Sequence, residues 1–132
     1  LGENIHGKVF GIPTEILNLI KKTKYENKYT QLFNFLHENG AKIKEMHIKV
    51  DGDVFDVVRF LDLATLCMLL AENSKHFIRS SNIPFAEDWG DNMFCWNKED
   101  GKVYLVFLDS EEPLFLANSV DNFWNMLENS NI

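Results

Sequence analysis

The chain is short of the residues that would carry chemistry or a covalent frame. Only two cysteines, Cys67 and Cys95, occur in 132 residues. Secreted domains that lean on disulfides carry more, so a disulfide scaffold is excluded as the organising principle. Each cysteine sits in an apolar run and reads as a buried, reduced thiol, which suits a reducing cytoplasm. Three prolines and seven glycines leave no low-complexity stretch. Disorder is therefore expected only towards the ends. No apolar run approaches the ~20 residues of a membrane-spanning helix. The longest, Leu63 to Ala71, contains Thr65 and is flanked by Asp62 and Glu72. Leu1-Gly2-Glu3-Asn4 lacks the basic-then-apolar order of a secretory leader.

Motifs for catalysis are missing as well. His6, His37, His47 and His76 are dispersed, without the spacing of a zinc site. There is no Gly-x-Ser-x-Gly elbow and no phosphate loop ending in Gly-Lys-Ser/Thr. Asp51-Gly52-Asp53-Val54-Phe55-Asp56 imitates a calcium loop, but its Gly stands second, not sixth. It reads as a hairpin turn. Neither a metal nor a cofactor is expected.

What the chain does have is aromatic bulk and uneven charge. Eleven Phe and three Trp supply a large core. Net charge is −7. Residues 1–50 hold eight Lys and five Glu, while residues 51–132 hold five basic and fifteen acidic side chains. The acidic part would repel nucleic acid and anionic membrane and attract a basic partner.

Periodicity orders the elements. Pro13 opens a helix over 13–23, with Ile16, Leu17 and Ile20 on one face. Leu32, Phe33 and Leu36 mark a second over 29–38, closed by Asn39-Gly40. Met46, Ile48 and Val50 alternate as a strand beginning near Lys44. Asp51-Gly52 turns it, and Val54–Leu61 returns. Asp62 caps a third helix running to about Asn73, apolar nearly all round and so expected to be deeply covered. Strands follow at Ile83–Ala86, Met93–Asn97, Lys102–Asp109 and Leu114–Ala117. Ser119 caps a last helix with Val120, Phe123, Trp124 and Leu127 on one face. The pattern is α+β: a mostly antiparallel sheet of about five to six strands with helices packed on it. It is read as one domain over 1–132, with 1–11 a loose lead-in.

Several segments carry a resemblance. Ile83-Pro84-Phe85-Ala86-Glu87-Asp88-Trp89-Gly90-Asp91 is followed by Phe94-Cys95-Trp96. Gly101-Lys102-Val103-Tyr104 and Leu116-Ala117-Asn118-Ser119 come next, leading to Phe123 and Leu127. This resembles the SUKH superfamily, whose founding members include a fungal regulator of cell-wall glucan synthesis. Upstream, Ile12–Lys22, Tyr29–Leu36 and Asn39-Gly40 look like its two N-terminal helices and the turn after them. The sequence departs from the family at Asn27-Lys28, where Leu-Pro is usual, and at Ala41, where a second Gly is usual. The resemblance implies no catalytic constellation. It implies a protein-binding role, as in bacterial immunity proteins that neutralise toxins, many of them nucleases, or as in the glucan regulator.

Candidate contact residues follow from the acidic segments and their tryptophans. They are Asp53, Asp56, Glu87, Asp88, Trp89, Asp91, Trp96, Glu111 and Glu112. Trp is enriched at binding hot spots, yet Trp96 also fits a core strand. Glu87, Asp88 and Asp91 could serve as acid–base carboxylates. Asp is also a turn former that binds its own backbone, which is the plainer reading. A small hydrolase remains the remote alternative. Trp124 is expected in the core.

Overall fold

A computed structural model describes residues 12–21, 25–39, 46–72, 80–90, 92–109 and 112–129. The expected lead-in over 1–11, the start at Lys44 and the Gly40 cap lie outside them. The elements are α1 (Thr14–Lys21), α2 (Glu26–Asn39), β1 (Met46–Val50), β2 (Asp53–Val57), β3 (Arg59–Phe60) and α3 (Leu63–Glu72). Then come β4 (Asn82–Glu87), β5 (Met93–Asn97), β6 (Val103–Val106), β7 (Leu114–Ala117), α4 (Val120–Met126) and β8 (Glu128–Asn129).

The fold is α+β and its strand pairs are antiparallel. The strands divide between two sheets, ordered β2-β1-β8 and β3-β4-β5-β6-β7. The expected single return strand over 54–61 is therefore two strands. β2 pairs with β1, and β3 pairs with β4. Val58 is the crossing point; its N–H donates to the Glu87 carbonyl at 2.9 Å. The inward positions change phase across it, from Phe55 and Val57 to Phe60, but alternation does not reveal which neighbour the backbone bonds.

Local chemistry sets the other boundaries. The Pro13 carbonyl accepts from Ile16 and Leu17 and starts α1. The Tyr25 carbonyl accepts from Lys28 and Tyr29, so α2 begins earlier than its apolar stripe. Asp51 and Gly52 have φ of 51° and 88°, the left-handed pair that a two-residue hairpin turn needs. The Thr65 N–H donates to Asp62 Oδ1 at 2.7 Å, and the Asn122 N–H to Ser119 Oγ at 3.0 Å. Both expected helix caps are thus present, and the Thr65 bonds hold the Asp62 carboxyl below its usual range. The strand expected over 102–109 shortens to Val103–Val106, because Phe107 leaves the sheet and Leu108 and Asp109 turn.

Between the elements lies an aromatic core. Phe60 stacks on Phe85 at 6.3 Å, and Phe123 meets Phe85 edge-on at 5.5 Å. Phe35 adds edge-on contacts to Phe60, Phe85 and Trp124. Each such pair contributes about 0.5–1.5 kcal/mol beyond its buried area. Trp124 is half-buried against this cluster, as expected of a core residue at its margin. Helix α3 is less covered than its composition suggested. Leu66, Cys67 and Leu70 are buried, but Met68 is 58% exposed. Only one side of α3 meets α1 and α2, so the apolar belt around it is wider than the contact.

Candidate partner-binding surface

The two sheets meet so that three separate acidic segments share one end of the molecule. β4 ends at Glu87, β5 begins at Met93 and β6 ends at Val106, with Glu87 opposite Met93 and Met93 opposite Val106. The loops after Glu87 and after Val106 therefore leave from the same end of the larger sheet. Asn92 Oδ1 accepts from the Leu108 N–H at 2.8 Å and ties these loops together. Phe55 of β2 packs against Phe107 at 6.5 Å, which brings in the β1–β2 hairpin.

Asp88 organises the first loop. Its Oδ1 accepts from the N–H of Gly90 at 2.8 Å and of Asn92 at 2.9 Å. Its Oδ2 accepts from Asn92 Nδ2 at 2.9 Å. The Asp88 N–H donates to the Asn92 carbonyl, closing the turn. An Asp side chain that bonds its following backbone is the expected turn chemistry. Glu87 pairs with Arg59, and that bond and charge raise the Arg59 pKa. Both carboxylates thus spend acceptor capacity on structure. Among the described residues no three His, Cys, Asp or Glu side chains cluster as a metal site.

The turn built by Asp88 presents Trp89, which is 68% exposed. Leu108, at 72%, and Val54, at 56%, are the other large apolar side chains exposed at this end. Asp53, Asp56, Asp109 and Glu112 are exposed around them. Scattered exposed apolar residues mean little, but Trp89 and Leu108 lie on loops tied together through Asn92, and Val54 adjoins Phe55, which packs on Phe107, so all three stand near carboxylates at this end.

The expected contact residues divide accordingly. Asp53, Asp56, Trp89 and Glu112 lie on exposed positions at this end, with Glu87 and Asp88 half-buried behind them. Asp91 and Glu111 lie outside the described residues. Trp96 is a correction: it is 1% exposed and packs on Tyr29 at 5.0 Å. It stands between its cross-strand partners Ile83 and Val103 on the same sheet face, both fully buried. Burial raises Tyr29 to about 12. Val54 and Leu108 were missed because each sits in a run that reads as half-buried strand. The acidic turn just after Leu108 was the one signal of its exposure.

Cys67 and Cys95 are free and buried. Burial pushes their thiols up to about 11 and about 12. Neither is poised as a nucleophile at neutral pH. No described helix is long and apolar enough to cross a membrane.

No curated protein matches the chain. A family model does, over residues 22–126, a span that runs through α2 to the end of α4. The chain belongs to the SMI1 / KNR4 family (SUKH-1).

Proposed function

We propose that this domain is a non-catalytic, immunity-type protein that binds and neutralises a basic toxin domain, such as a nuclease. The observation that carries the reading is the exposure of Val54, Trp89 and Leu108, with Asp53, Asp56, Asp109 and Glu112, on a hairpin and loops that the Phe55–Phe107 and Asn92–Leu108 contacts bring to one end. Apolar anchors within a charged rim are how protein partners are held and chosen. The carboxylates would steer a basic partner and make its association fall with salt. Family membership supports the non-catalytic part, since SUKH members are read as binding proteins. Free, buried thiols suit action in a reducing cytoplasm.

The test is co-purification from the native host, with co-expression of any toxin encoded beside the gene. Protection of the host, lost on Trp89→Ala, is the expected result. Recovery of cell-wall or signalling proteins with no protection would replace this reading with a regulatory scaffold of the glucan-regulator kind.

A further inference from the structure

The hairpin geometry leaves one stretch of backbone open beside the exposed anchors. Val50 and Asp53 flank the two-residue turn and face each other. In such a hairpin the flanking residues exchange hydrogen bonds, and bonding alternates from there. Asp53, Phe55 and Val57 therefore bond to β1. Val54 and Asp56 point their N–H and C=O groups the other way. Val58 has the same parity, and its N–H already uses that outer edge, donating to Glu87 of β4. β4 stops at Glu87, and the chain turns off through Asp88 to Gly90. Val54 to Asp56 run past its end. Among the described residues no group bonds the outward backbone of Val54 or Asp56. β2 is the edge of its sheet, and Asp53, Val54 and Asp56 are exposed.

We infer that this edge receives an extended, basic segment of a partner protein, which adds to β2 as a further antiparallel strand along Val54–Asp56. The inference rests on the reading of the acidic end as the partner surface and gives that surface its binding mode. Exposed strand edges are templates for strand addition, with main-chain bonds giving affinity and alternate side chains giving choice. Directly opposed residues share a face of the sheet. The incoming strand thus places a basic side chain opposite Asp56 and, two residues on, an apolar one opposite Val54. Trp89, two residues beyond Glu87, stands where β4 leaves this edge and can cover the incoming chain. A second copy is a poor occupant. Antiparallel pairing of β2 with β2 about Phe55 would set each Asp56 opposite the other copy's Val54 and each Asp53 opposite Val57, so none of the four carboxylates would gain a cation across the new ladder.

The probe is a blocked peptide of two Lys-Thr-Val-Thr repeats, titrated into the full chain. Hydrogen exchange at the Val54 and Asp56 amides should slow at least tenfold on binding, while Phe55, already bonded to β1, changes little. Val54→Pro removes one outward donor and leaves the β1 ladder intact, because Val54 does not bond β1. It should weaken the peptide at least tenfold with an unchanged unfolding midpoint. A twin peptide N-methylated at alternate residues, tested on the unaltered chain, should lose affinity equally, so the test does not depend on the variant folding. Equal binding of both peptides and both proteins, with affinity still lost on Asp56→Asn and Trp89→Ala, overturns strand addition but leaves the partner surface standing. Absence of peptide binding at millimolar concentration, or binding indifferent to Asp56 and Trp89, overturns both. A concentration-dependent dimer abolished by Val54→Pro would make the occupant a second copy and overturn the basic partner.

Discussion

Asp88→Asn separates a structural carboxylate from a contact one. Asparagine keeps an oxygen where Oδ1 accepts from Gly90 and Asn92. It puts an amide where Oδ2 accepts from Asn92 Nδ2. Two donors then face each other. Rotating the Asn92 amide would relieve the conflict, but its oxygen already accepts from Leu108. One of the two bonds must be lost. The two surviving bonds also weaken, because their acceptor is no longer charged. A hydrogen bond to a charged group is worth about 1.5–3 kcal/mol, and a neutral one about 1. The site is half-buried, so water recovers part of the loss. The net cost is about 1.5 kcal/mol. With a urea dependence of about 1–3 kcal/mol per molar for small domains, the unfolding midpoint should fall by roughly 0.5–1.5 M. Urea titration followed by tryptophan fluorescence measures it. Asn92→Ala should cost a similar amount, and the double variant less than the sum, because the two residues share one network. A midpoint shift below about 0.2 M, together with a large loss of partner binding, would refute the structural role and make Asp88 a contact residue.

Trp96→Ala should destabilise the fold by about 3–5 kcal/mol, whereas Trp89→Ala should stay within about 0.5 kcal/mol; chemical denaturation of both variants checks the contrast. Asp62→Ala removes a helix cap and should cost about 1 kcal/mol at neutral pH. The folded-state pKa of Asp62 is lowered, so its contribution is full above the unfolded value of about 3.9 and is lost as pH falls through the folded value. The gap between Asp62→Ala and the unaltered chain should therefore close in acid, as a denaturation series from pH 7 to pH 2 would show. Cys67 and Cys95, raised to about 11 and about 12, should resist iodoacetamide at pH 8 in the folded chain and react in urea, as counted by mass spectrometry.

Much of this was legible in one dimension, because it is written in local rules. The Asp51-Gly52 turn needs left-handed backbone, and the sequence supplies residues that tolerate it. Asp62 and Ser119 stand where helix donors lack partners. The strands expected at 93–97 and 114–117 match the structure to the residue. Asp88 could be read as a turn former for the same local reason.

Other features depended on which elements become neighbours. Trp89 and Trp96 are seven residues apart and equally apolar, yet one is 68% exposed and the other 1%. Trp96 falls between α2 and the strands on either side of β5, while Trp89 sits on an exposed turn that no described element packs against. The division of 54–61 between two sheets left only a change of phase in the sequence, from Phe55 and Val57 facing inward to Phe60, and that change does not say which strand each half pairs with.

From the sequence alone came an α+β antiparallel domain, its caps and turns, the acidity of everything after residue 50, and the SUKH resemblance. These are properties of composition and of short-range backbone chemistry. The tertiary structure decided that the acidic segments around Asp53 to Asp56, Asp88, Asp109 and Glu112 come to one end, that Val54, Trp89 and Leu108 are exposed there, and that β2 outruns β4 and leaves its edge open. Those facts arise from long-range pairing and from contacts such as Phe55 with Phe107 and Asn92 with Leu108. Such contacts join residues far apart in the chain, where no local period can record them.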